Sequence, residues 1–151
     1  MEVLRNFELV ELDVLPFKVM EAEAYLELFK KFISIAIYGN NIYGNIKRGE
    51  PNIEYARENI IRINALTEPN IDKFADALID VCNQFSDERG KEHDVFVSKK
   101  DVFNYIEPTV IEIISAEKIE RGGYNGLIFT IEGEEHTLRW LFSDEDTINF
   151  R

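Results

Sequence analysis

The chain has 151 residues, is 45% hydrophobic, and carries 17 lysines and arginines against 29 aspartates and glutamates, a net charge of -12. That length fits a single domain over residues 1–151 with a core of its own, and the apolar content is too high for a disordered chain. The charge argues against direct nucleic-acid binding and against anionic membrane surfaces, both of which call for a cationic face.

A lone cysteine excludes an internal disulfide framework and points to a reducing, cytoplasmic setting. The first residues, Met1-Glu2-Val3-Leu4-Arg5, lack the basic-then-apolar order of a signal peptide. The longest apolar stretch, residues 29–38, is interrupted by Lys30, Lys31 and Ser34 and is too short to span a bilayer. Acids are unevenly spread. They exceed bases over residues 1–29 and 67–98 and in the C-terminal end, and bases exceed acids over residues 30–66.

In chain order, residues 2–15 fit a strand with Val10, Leu12 and Val14 on one face, although Leu4, Phe7 and Val10 also fit a helix stripe. The strand is preferred, as an element that can extend a sheet and cover one of its edges. Residues 17–37 read as a long helix. Ala22, Tyr25, Leu26, Phe29, Phe32, Ile33 and Ala36 recur at three- and four-residue steps, and Glu27–Lys31 has the favourable i,i+4 orientation. Residues 39–50, with three glycines and three asparagines, form a loop in which Tyr43, Lys47 and Arg48, with Tyr38 before it, can contact a ligand or partner. Pro51 suits the first position of a short helix carrying Ile53, Ala56, Ile60 and Ile63. A second helix spans residues 71–85, capped by Thr67 or Asn70, with Phe74, Leu78, Cys82 and Phe85 on its buried face. Ser98 and Asp101 form a capping box for a short helix ending before Pro108.

Residues 110–120, 127–132 and 136–142 read as three strands of an antiparallel meander. Leu127, Phe129 and Ile131, then His136, Leu138, Trp140 and Phe142, alternate with more polar positions. The fold class is therefore α+β: several N-terminal and central helices packed on a C-terminal three-stranded antiparallel meander, with the N-terminal strand able to extend it.

No catalytic, cofactor-binding or metal-ligating set is assigned. Cys82 lies on an apolar stripe and fits inert core better than a nucleophile. His93 and His136 have no nucleophile beside them in sequence. Acids are so numerous that a catalytic carboxylate pair could be drawn anywhere, so none is drawn. Single occurrence and turn chemistry account for Arg121-Gly122-Gly123-Tyr124. Three acidic groups stand out as partner-binding candidates: Asp72, Asp76 and Asp80, four apart on one helix face; Glu134 and Glu135 in the second turn of the meander; and Asp144, Glu145 and Asp146 in the tail. The first group has a spacing along its helix close to that of phosphates on one nucleic-acid strand.

No family is recognisable from residues. As a small acidic cytosolic α+β domain, the chain is similar in profile to immunity proteins that neutralise basic toxins and to phage-encoded inhibitors. That resemblance implies a protein that occludes a basic partner, such as a toxin or nuclease, with acids steering the encounter. Two other expectations compete. One is a small-ligand domain or enzyme with a pocket between helices and meander near Tyr38, Tyr43 and Trp140. The other is a structural, self-assembling subunit whose acidity serves solubility.

Overall fold

The computed structural model describes residues 2–11, 18–39, 50–90, 96, 98–115, 119, 123–142 and 148–150. Among these residues the strands are β1 (Leu4–Val10), β2 (Val19–Leu26), β3 (Lys31–Tyr38), β4 (Glu107–Ile113), β5 (Asn125–Ile131), β6 (Glu134–Phe142) and β7 (Ile148–Phe150). The helices are α1 (Ile53–Asn64), α2 (Glu68–Glu88) and α3 (Val102–Tyr105), the last continuing a 3-10 turn at Lys99–Asp101. All seven strands form one sheet in sequence order. Every neighbouring pair is antiparallel except β3 and β4, which run parallel from Ser34 opposite Val110 to Ile37 opposite Ile113. A parallel pair needs a long crossover, and the three helices supply it.

This corrects the expected architecture. The C-terminal antiparallel run is present, but as part of a seven-stranded mixed sheet, and no helix among the described residues precedes Ile53. The expected helix over residues 17–37 is the hairpin β2–β3. Both periods fit its apolar residues, because Ala22, Leu26 and Ile33 are buried in the strand arrangement too. Three isoleucines in strict alternation, Ile33, Ile35 and Ile37, carry the decision: β-branched side chains are stiff in a helix and pack well on a pleated surface. Lys30 takes a left-handed conformation, φ 52°, at the reversal. Lys31 pairs with Glu107 of β4 at 3.1 Å instead of with Glu27. The N-terminal segment is a strand, but it pairs with β2, at the sheet edge remote from the meander.

Smaller boundaries also move. Pro51 lies outside α1, bridging Gly39, and Asn52 is the cap, its side chain accepting from the Tyr55 N–H at 3.0 Å. α2 begins earlier than expected, with Thr67 at its N-cap. At the α3 entry, the Asp101 carboxylate accepts from the Ser98 N–H at 3.0 Å. The turn between β5 and β6 is the two-residue Glu132-Gly133, both at positive φ (53° and 87°), the mirror-image turn that matches strand twist.

The helices cover one face of the sheet. That face carries Ala22, Ala24 and Leu26 of β2, the three isoleucines of β3, Ile111 and Ile113 of β4, Leu127 and Phe129 of β5, and Leu138 and Trp140 of β6, all buried. Phe74 of α2 stacks on Phe150 of β7 with ring centroids 4.2 Å apart and meets Phe103 of α3 edge-on at 5.6 Å. Two asparagine clamps hold α1. Asn64 donates to the Tyr25 carbonyl and accepts from the Glu27 N–H, both at 2.9 Å. Asn125 of β5, fully buried, donates to Asn59 Oδ1 and accepts from the Ile114 N–H, both at 3.0 Å. Replacing Asn125 by alanine removes these bonds from the buried Asn59 side chain and the half-buried Ile114 N–H. The variant should lose about 2–4 kcal/mol of stability, seen as a lower urea midpoint at unchanged slope.

Candidate functional site

The second face of the sheet carries no helix among the described residues, and its cross-strand rows can be followed through the register. One row runs Glu8, Glu21, Ala36, Glu112, Gly126, Arg139 from β1 to β6. Glu8 and Glu21 stand directly opposite each other, both exposed, an arrangement of like charges that disfavours the sheet. Neither has an ion-pair partner among the described residues. Ala36 separates Glu21 from Glu112, two strand spacings or about 10 Å apart. With Ser34 and Val110 it floors a shallow trough of about 210 Å³, walled by Glu21. At the far end the row changes sign: the Arg139 guanidinium lies 4.1 Å over the Tyr124 ring, which in turn covers Gly126.

The neighbouring row is more nearly neutral. Arg5 lies 3.5 Å over the Phe32 ring and pairs with Glu23 at 3.4 Å. The Asn6 side-chain amide donates to Glu23, and this bond, with Arg5, holds the Glu23 carboxyl below its ordinary range against a smaller opposing effect of burial.

Tyr38, at the end of β3, closes the acidic row. Its hydroxyl donates to Glu112 Oε1 at 3.1 Å. Burial first, then the Glu112 carboxylate, push the phenol up to about 12. The neutral phenol is thus the form the fold favours.

The sequence-derived partner residues fall elsewhere. Asp72, Asp76 and Asp80 lie along α2, in the layer on the other side of the sheet; Asp72 is half-buried, and Asp76 pairs with Lys99 at 3.0 Å. Glu134 and Glu135 are in β6 and not in a turn. They project to opposite faces, with Glu134 3.7 Å from Arg89 and Glu135 on the helix-free side. Asp144, Glu145 and Asp146 lie outside the described residues, as do Tyr43, Lys47, Arg48, His93, Arg121 and Gly122. The pocket expected near Tyr38 and Trp140 is not assembled by those two residues, because they sit on opposite faces of the sheet; the Trp140 indole is buried under the helices. His136 packs edge-on against Phe85 at 4.8 Å and beside Phe129 at 5.9 Å, with Nε2 buried and without a hydrogen-bond partner among the described residues. Cys82 is fully buried. Among the described residues no group of three or more His, Cys, Asp or Glu side chains could hold a metal ion, and no helix is long and apolar enough to cross a membrane.

Local pattern does not reveal the acidic row, because Glu21 and Glu23 fit the polar face of a helix over residues 17–37 as well as one face of a strand. The alternation Glu21-Ala22-Glu23-Ala24 was the available signal, and it becomes decisive only beside Ile33, Ile35 and Ile37.

The fold and this face define a two-layer α/β domain: a mixed sheet with helices on one side and an acid-bearing surface on the other. Residues 9–149 match the family described as a domain of unknown function, DUF6985, and the chain belongs to that family. No curated protein and no solved structure is detectably similar to it.

The phenol supplies a direct check on the face. The folded state holds the Tyr38 proton where unfolded chains, titrating near 10, release theirs. Stability from this group is therefore complete below about pH 10 and is lost as pH rises towards about 12. Phenolate absorbance should show late-titrating tyrosines, since burial also raises Tyr25 and Tyr55, and Tyr38→Phe should remove the component near pH 12. Glu112→Gln should lower the midpoint of that component without restoring the ordinary value, since burial is the larger cause.

Proposed function

We propose that this chain binds and occludes a basic protein, and that it does so with the helix-free face of its sheet. The observation that carries this reading is the row Glu8–Glu21–Ala36–Glu112, where like charges are set opposite one another and left without a cation from the described chain. A surface that keeps such a repulsion gains when a cationic partner relieves it. Ala36 within the row, with Ser34 and Val110 beside it, keeps the surface low enough for another protein to approach the strands. A net charge of -12 would speed encounter with a basic partner, such as a toxin or nuclease. The helix ridge is the weaker candidate, because part of its charge is neutralised internally: Asp76 by Lys99, and the nearby Glu68 by Lys100 at 2.6 Å.

The test is capture on the immobilised chain at low salt, followed by binding measurements with each basic protein retained. Changing Glu8, Glu21 and Glu112 together to glutamine should weaken binding by about tenfold or more, mostly through slower association, and flatten its salt dependence. Changing Asp72, Asp76 and Asp80 to asparagine should do much less. Equal binding by both triple variants and the parent would sink the sheet face as the contact surface. Retention of no basic protein at all would remove the proposed activity.

A further inference from the structure

A second site is suggested at one end of the molecule, where the β2–β3 turn meets α2 and the α3 entry. There a cavity of about 440 Å³, within the range of small-ligand sites, lies against Leu28, Phe29, Ile71 and Phe103. Phe29 and Phe103 meet edge-on at 5.7 Å and form an aromatic wall. Leu28, Phe29 and Ile71 are only partly buried, so part of this apolar lining faces water.

Glu27, Lys30, Lys100 and Asn104 bring polar groups to the same cavity. Their charges are not equally available. Lys100 is held by Glu68 at 2.6 Å. The Glu27 carboxylate takes up the Tyr25 hydroxyl and helps push that phenol above its ordinary value, after burial. Lys30 has no ion-pair partner among the described residues. It also occupies a left-handed position at the β2–β3 reversal, φ 52°.

We propose that this cavity binds a small molecule with an apolar body and a single carboxylate. The body would lie on Phe29, Ile71 and Phe103, the carboxylate would take a charge-assisted hydrogen bond from Lys30, and the Asn104 amide would be available to a second oxygen. The site lies at the end of the sheet, apart from the acidic row, and its occupancy is independent of the partner proposed above.

Three probes of one shape and different charge test it: phenylacetate, phenylethanol and phenethylamine, titrated at about millimolar concentrations into the full chain while backbone-amide NMR shifts are followed. Phenylacetate should produce saturable shifts at Phe29, Lys30, Ile71 and Asn104, about two- to fivefold tighter than the alcohol, with the amine weakest. Lys30→Asn, which suits the left-handed turn, should abolish the preference for acid over alcohol while keeping alcohol binding. Lys100→Gln should change that preference less. Ile71→Ser should weaken all three probes. No saturable shift with any probe, equal affinity for all three, or shifts centred elsewhere would overturn the assignment.

Discussion

The parallel contact between β3 and β4 is the constraint on which the rest of the molecule depends. It joins two antiparallel runs, β1–β2–β3 and β4–β5–β6–β7, through a short register from Ser34–Val110 to Ile37–Ile113. Parallel neighbours cannot be linked by a tight turn, so the chain must leave the sheet and return. α1, α2 and α3 make that excursion, and their apolar stripes need a surface to bury against. Ile33, Ile35, Ile37, Ile111 and Ile113, on the two strands that meet there, form the middle of that surface. α1, α2 and α3 lie in one connection and pack on one side, so none of the three covers the other.

The candidate surface follows from that asymmetry. Strand residues alternate, so each core isoleucine or alanine has neighbours pointing the other way. In β2 these are Glu21 and Glu23, in β3 Ser34 and Ala36, and in β4 Val110 and Glu112. Register then sets acids from three strands on one row and leaves Ala36 between Glu21 and Glu112. The clamps made by Asn64 and Asn125 hold α1 on the opposite side, so the charged row rests on a well-tied core. The charges cost the fold some stability, and the partner-binding proposal gives that cost a use.

Much of the molecule is legible from local pattern. The capping pair at Ser98 and Asp101, the long apolar stripe of α2, the inert burial of Cys82 and the alternation over Leu127, Phe129 and Ile131 were all readable, because each depends on neighbours within a few residues. The β2–β3 hairpin was not. Its apolar residues satisfy a helical period almost as well as an alternating one, and local pattern cannot rank the two. Strand pairing on both sides, with β1 and with β4, ranks them, and those partners are distant in the chain. Glu134 and Glu135 show the same limit on a smaller scale. As neighbours in sequence they looked like one acidic cluster, but a strand sends consecutive side chains to opposite faces.

By itself the sequence determined the charge, the helices after residue 53, and the strand character of the C-terminal third, since composition and short-range periodicity suffice for these. Tertiary structure alone decided that residues 19–38 are a hairpin, that one sheet takes in all seven strands, and that Glu8, Glu21 and Glu112 share a row. The physical reason is that strand registry is a contact between distant segments, settled by which faces can be buried together and not by any stretch of chain read alone.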